Sequence, residues 1–525
     1  MQSIANRNTF FMKKLIYLFS AALLATGYHS CAQSLGMFDG RTDIGTVSPK
    51  GTATYNPRTQ QYALSGGGAN IWNKHDDFNF LWKKLSGDFI LRANVQFIGK
   101  GANEHRKIGL MVRSALTPGS KYVDAAVHGV KLVAMQYRTQ TDDSTHQIVS
   151  KVEDADVIQL ERRGNVYKLW TAKKGNLLTI DSMKTDEIGN EVFAGLFICS
   201  HQPGVAEKAV FSNVRVSVPA KVDFKPYSDY IGSNIEILDL ASGNSRIIYQ
   251  YDKSIQAPNW TRDGKSLLYN KDDLLYTYDL ATNKPTLLNT GDVKRNNNDH
   301  VISFDGKMLA ISSFGAKGGA DNGKSVGYVV PITGGQPKRV TTTAPSYIHS
   351  WSPDGKKLIF TSQRDGNFDI YSVSPEGGPE TRLTTDAMYD DGSEYTPDGK
   401  YIYFNTTRTG HMQIFRMKPD GSDQEQVTHS ETNDWFPHIS PDGKWIVYIS
   451  FLQSEVTIQD HPFYRHVYIQ LMPINGGPSK VIAYLYGGQG TINTPSWSPD
   501  SKKIAFVSNT DLMFPIFPLE HQVKK

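Results

Sequence analysis

The chain has 525 residues, a net charge of +4, 39% hydrophobic residues and 21% charged ones. That composition is globular and long enough for two or three domains, and the excess of base is too small to argue for a nucleic acid or an anionic membrane as partner. With 45 Gly, 25 Pro, 11% aromatic residues and many short runs of Tyr, Thr, Val and Ile, the chain reads as all-β with frequent turns.

Residues 1–32 read as a targeting segment. Lys13 and Lys14 precede the apolar run LIYLFSAALLATG, which is too short for a stable membrane anchor. Two readings of its end stand side by side. Ser30-Cys31-Ala32 before Gln33 fits the small-x-small rule of a cleaved secretory signal, whereas Cys31 as a lipid-anchored cysteine would follow the atypical Tyr28-His29-Ser30. Either way the mature protein is expected to be exported, periplasmic or extracellular, with no transmembrane anchor. Cys31 and Cys199 are the only cysteines, so no disulfide is expected and stability must come from a large core. Cys199, inside the apolar run EVFAGLFICS, reads as a small buried hydrophobe.

Residues 34–218 carry no repeat. In DFILRANVQF, Phe89, Leu91, Ala93, Val95 and Phe97 take one face, and Ile90, Arg92, Asn94 and Gln96 the other. DVIQLERRGNVYKLW predicts a hairpin turning at Arg163-Gly164-Asn165. Further runs such as RKIGLMVRSA, KYVDAAVHGV and AVFSNVRVSV bring enough strands to imply a two-sheet sandwich. GDFILRANVQF, RKIGLMVRS, FAGLFICS and AVFSNVRV resemble the concanavalin-like, laminin-G-like jelly rolls. That resemblance implies a carbohydrate-binding or interaction module, with Trp72, Trp82 and Trp170 as either core residues or sugar-stacking surfaces. No Glu-x-Asp-x-x-Glu pattern is present, so the catalytic role of some members is not carried over.

Residues 219–232, PAKVDFKPYSDYIG, form a polar connector and the expected domain boundary. From 233 to 511 the chain repeats. Asp263-Gly264, Asp305-Gly306, Asp354-Gly355, Asp398-Gly399, Asp442-Gly443 and Asp500-Ser501 recur at intervals of 42, 49, 44, 44 and 58 residues. Each is followed by a short strand such as KKLIFTS or KWIVYIS, and repeats of this length read as propeller blades. The last repeat stops short of its outer strands, and NIEILDLASGNSRIIY before the first has their form. The start of the segment should therefore complete the sixth blade and close the ring. WSPDGKKLIFTSQRDGNFDIYSVSPEGG resembles the repeat of the TolB-like six-bladed propellers. True TolB carries an α/β domain before its propeller, and this chain departs from that, which puts a Tol–Pal role in doubt. Residues 512–525 are read as a tail.

Two apparent motifs fail on context. Gly318–Ser325, GGADNGKS, satisfies the Walker A pattern, and Gly323–Gly327 a nominal Gly-x-Ser-x-Gly. Both mechanisms need a strand–turn–helix, and here a strand follows, so no nucleotide partner and no nucleophile elbow are expected.

Aligned on the turn Asp, the residues five before it are Pro258, His300, His349, Ser393, Pro437 and Pro495; those four before it are Asn259, Val301, Ser350, Glu394, His438 and Ser496. Residues at one level on six blades converge on the axis, so His300, His349, Glu394 and His438 are the candidate binding set, with Asp299, Asp390, Asp391, Asp434 and Trp435 around them and Tyr347 and Trp435 as stacking surfaces. Imidazoles and carboxylates so placed could hold a divalent metal, with His300, His349 and His438 as ligands, bind sugar groups, transfer protons, or simply line a solvated rim. The insertion containing DHPFYRH adds His461, Arg465 and His466, and a Gly-rich loop adds Gln489. By residue type and ring position, His300, His349, His438 and Gln489 resemble the manganese site of oligogalacturonate lyases. The expected function is an exported binding protein for a carbohydrate or envelope protein. The alternative is a metal-assisted lyase or hydrolase of oligosaccharides at the axis.

Overall fold

A computed structural model describes residues 34–185, 187–225 and 228–512; residues 1–33, on which the expected targeting segment and Cys31 fall, and residues 513–525 of the expected tail lie outside them. Every regular element among the described residues is a β-strand.

The first part consists of two antiparallel sheets of seven strands each and a two-stranded ribbon, Ile71–Trp72 with His75–Asp76. Phe89–Ile98 shows how the sequence builds them. Phe89, Leu91, Ala93 and Val95 alternate onto the inner face and meet Leu81, Leu110 and Leu196 of the other sheet in one apolar core. The opposite face is polar in sequence but not solvated. Ile90 packs against Ala220, Phe463, Tyr464 and Tyr486, and Arg92 is buried, with its pKa held down at about 10 by burial and then by the Arg215 charge. That face is where the second part docks. Cys199 is buried in the first part, and burial pushes its thiol up to about 11.

The second part is a six-bladed propeller. Five sheets of four strands run outward in chain order, as in Tyr347–Trp351, Leu358–Gln363, Phe368–Val373 and Thr381–Arg382. The sixth is composite. Lys503–Asn509 pairs with Ser233–Asp239, which pairs with Asn244–Tyr251, and Trp497 bridging to Ile504 takes the innermost position. Backbone hydrogen bonds from the two ends of the repeat region thus close the ring, as the truncated last repeat predicts. Gly318–Ser325 lies between two strands of one blade, Met308–Phe314 and Ser325–Pro331.

The repeated turn is a hydrogen-bond device. Ser352 Oγ donates to Asp354 Oδ1 (2.7 Å), and Lys357 N donates back to Ser352 Oγ (2.9 Å). The same hydroxyl–carboxylate pair occurs at Thr261–Asp263, Ser303–Asp305, Thr396–Asp398, Ser440–Asp442 and Ser498–Asp500. Gly355 follows at φ +72°, in the left-handed region that a β-carbon disfavours. At the other end of each blade the inner strand is irregular: the register with its neighbour slips in all five four-stranded blades. Such bulges turn side chains away from the regular alternation.

The two parts pack as one unit from Leu35 onward. Arg215 and Glu236, both buried, pair across the junction at 2.6 Å, and the hydroxyls of Ser245 and Ser508 donate to the same carboxylate. Gln60 caps the outer strand of the composite blade: its Nε2 donates to Ile247 O and its Oε1 accepts from Ile247 N, both at 2.9 Å.

Candidate functional site

The bulges build the site. Where the inner strands begin, they surround a cavity of about 240 Å³ whose lining includes Asn297, Asn298, Asp299, Tyr347, His349 and Asp391. Asn297–Asp299 are the residues extruded between the paired positions Asn296 and His300, and His349 is the residue skipped between Ile348 and Ser350. Phe436, at φ +54° in the bulge of Thr432–Ile439, adds an aromatic wall. His461 and Gln489 complete the lining from the insertion and the Gly-rich loop.

A hydrogen-bonded chain runs through this cavity. His349 Nε2 lies 3.1 Å from Asp391 Oδ1, which also accepts from Gly392 N (2.8 Å), and Tyr389 OH donates to Asp391 Oδ2 (3.1 Å). Burial opposes charge on His349, but the Asp391 hydrogen bond and the charges of Asp299, Asp391 and Glu394 outweigh it and raise its pKa. Burial likewise pushes Asp391 up, yet His349 and His461 hold it down at about 2. Asp299 behaves in the opposite sense: burial, reinforced by Asp391, lifts it to about 6. One cavity therefore holds two carboxylates whose affinities for a proton are driven far apart. Asn298 Nδ2, His461 Nδ1 and Gln489 Oε1 line the same cavity, shielded from bulk solvent and without a hydrogen bond to protein. The His461 ring packs against Trp435, tilted by 36° with centroids 4.3 Å apart, and burial lowers its pKa.

The residues predicted from the alignment separate into distinct places. His349, His461 and Gln489 reach the cavity. His438 does not line it. Its Nε2 donates to Ile492 O, its Nδ1 lies 2.5 Å from Glu394 Oε2, and Ile439 N donates to Glu394 Oε1 (3.0 Å). His438 and Glu394 thus tie three consecutive blades together. His300 is fully buried beside the carbonyls of Leu268 and Ala257, and burial takes its pKa down to about 4. Asp434 is a buried carboxyl accepting from the hydroxyls of Thr432, Ser450 and Ser430, each at 2.7 Å, and burial lifts it to about 6. Trp435 is fully buried behind His461. Arg465 and His466 line a different cavity, of about 660 Å³, at the junction with the first part. Among the described residues no three His, Cys, Asp or Glu side chains converge to hold a metal ion. The expected ligand set His300, His349 and His438 is therefore corrected: one ring is buried against the neighbouring blade, one ties blades together, and one faces the cavity.

The sequence reasoning placed Asp299, Tyr347 and Asp391 near the rim but missed Asn297, Asn298 and Tyr389 as lining residues. The signal was the run NNNDH at 296–300, which occupies the approach to a single inner strand.

The TolB beta propeller domain family matches residues 305–467. An uncharacterized protein of Agrobacterium fabrum is 45% identical over 276 residues, which is 52% of this chain and 92% of that relative. The chain belongs to the TolB-like β-propeller family. A solved structure from Agrobacterium tumefaciens, assigned as TolB, shares 44% identity, covers 55% of this chain and 99% of its own, and superposes with a TM-score of 0.50. The Tol-Pal system protein TolB of Francisella tularensis is 28% identical over 151 residues, so the match spans 28% of this chain but only 31% of that TolB. The two seven-stranded sheets stand outside the region matched by the family.

Proposed function

We propose that this TolB-like chain is an exported envelope-binding protein that captures a small polar group at the mouth of its propeller. The lining of the axial cavity carries this reading: unpaired donors and acceptors, the hydrogen-bonded His349–Asp391 pair and aromatic walls converge in about 240 Å³. That volume is below the roughly 300–1,000 Å³ of drug-sized sites and suits one sugar ring or one side chain of a larger partner. Carbohydrate or envelope protein are the partners whose chemistry fits, with hydroxyls or amides meeting Asn298 and Gln489 and an apolar face meeting Phe436. The sequence resemblance of the two-sheet part to concanavalin-like modules supports a glycan, although Trp170 is taken up by the junction, its ring centroid 4.8 Å from that of His466. Export rests on the targeting segment; no helix among the described residues is long and apolar enough to cross a membrane.

The enzymatic alternative keeps one supporting observation, the separated carboxylates Asp299 and Asp391. Its metal-assisted form has no assembled ligand set among the described residues. Calorimetry of the mature protein against an array of defined mono- and oligosaccharides, together with solubilised envelope proteins, tests both. Binding should appear for at least one class and weaken about tenfold or more, ~1.4 kcal/mol, in His349→Ala. No binding across the panel, or equal binding by His349→Ala, removes the reading. New reducing ends that accumulate with the wild type and not with Asp391→Asn would replace it by the enzymatic one.

A further inference from the structure

We propose a second binding site, for an acidic oligosaccharide, in the groove between the composite blade and the first four-stranded blade. This groove encloses about 1050 Å³ and shares no lining residue with the axial cavity. One wall is the outer strand Asn244–Tyr251, the other is built from Trp260 and Lys271, and the hairpin tip bearing Arg58 closes its rim.

Three features of the lining point to the ligand. Half-buried Tyr249 offers aromatic surface backed by the buried rings of Tyr251 and Trp260, and the Lys271 ammonium lies 4.1 Å from the centre of the Tyr251 ring, which places a positive charge among them. Arg58 and Arg246 are exposed at the rim and form no ion pair among the described residues, so the four cations of the lining outnumber its two acids, Asp239 and Asp252. Trp260 is 6% exposed, yet its Nε1–H has no hydrogen bond to protein, and the same holds for the shielded Thr59 Oγ1. A sugar acid answers all three: its C–H face stacks on a ring, its hydroxyls meet the indole N–H and the threonine, and its carboxylates meet guanidinium groups that can bind them through paired hydrogen bonds. An acidic peptide fits less well. A peptide would add to the free edge of Asn244–Tyr251, and the backbone N–H and C=O of Ile247, at the middle of that edge, are both occupied by Gln60.

The test is calorimetric titration of the mature protein with a linear mannuronate hexamer, with cellohexaose and with hexaglutamate. The uronate should bind about tenfold or more tightly than either comparison ligand, and added salt should weaken it. The double variant Arg58→Ala/Arg246→Ala, both sites exposed and remote from the core, should lose about tenfold in affinity and most of the salt dependence. Trp260→Phe keeps the ring and should lose several-fold. Asp391→Asn, in the axial cavity, should bind the uronate like the wild type. Absent uronate binding, equal binding of cellohexaose or hexaglutamate, an unaffected double variant, or loss of uronate binding in Asp391→Asn each overturns the proposal.

Discussion

His438 touches three blades through one ring and its own backbone: Glu394 holds Nδ1, Ile492 O accepts from Nε2, and Trp497 Nε1 donates to the His438 carbonyl at 3.0 Å. Removing the ring leaves the Glu394 carboxylate buried without its partner. His438→Ala should lower the unfolding free energy by about 3 kcal/mol, read from urea denaturation, while the folded fraction keeps its affinity at the axial cavity. A loss of affinity without a loss of stability would place His438 in the site instead. How much of this was legible depends on the residue. The Ser-x-Asp-Gly turns show in the sequence because one local hydrogen-bond pattern demands the same residue types each time. The position of His438, four before its turn, is legible for the same reason. The bulges are not, because tertiary packing holds Ala257 at φ +53° and Phe436 at φ +54°, conformations to which neither residue type is inclined. One slipped position decides whether a histidine faces the axis or the next blade, so His349 and His438 differ although both sit near the same level.

The insertion after Ser450 works as an element that joins the two parts. Its Glu455 accepts from His466 Nδ1 at 2.7 Å, and His466 Nε2 faces Glu161 of the first part at 3.4 Å, with Arg163 2.8 Å from Glu161. Burial disfavours the imidazolium, but the two carboxylates override it and raise His466 to about 9; burial also disfavours charged Glu161, yet His466 and Arg163 hold it at about 2. The histidine's contribution is complete below its ordinary value of 6.5 and is lost as pH rises through 9; the glutamate's is complete above 4.5 and is lost as pH falls through 2. The junction should therefore be strongest between pH 4.5 and 6.5. Melting temperature should fall as pH is taken from 6.5 to 9, and His466→Gln should flatten that limb. A wild type and variant with parallel profiles would show that the triad carries no linkage. The sequence marked this insertion as functional from its density of His, Arg and aromatic residues, and such density serves a polar interface between two parts as well as a ligand site.

At the scale of the whole molecule, the polar face of the second sheet is an interface because Arg92 and Arg215 find partners or burial on the propeller. Arg215→Ala strands Glu236 in the junction and should cost about 3–5 kcal/mol. Calorimetric scanning should then resolve two transitions where the wild type shows one. A single, unshifted transition would mean that the apolar contacts around Tyr464 and Tyr486 alone couple the parts.

The composite blade also dictates when this protein can finish folding. Ser233 pairs with Asn509, and Asp239 with Lys503, so the pairing that completes the sixth sheet joins residues separated by nearly the whole propeller. Contacts of such sequence separation close late and slowly, since the loop entropy is spent before the strand pairs. A nascent chain cannot make them until residue 509 has left the ribosome. Through most of its synthesis the ring lacks the last strand of its sixth blade, and one edge of Ser233–Asp239 stays without its partner until the end.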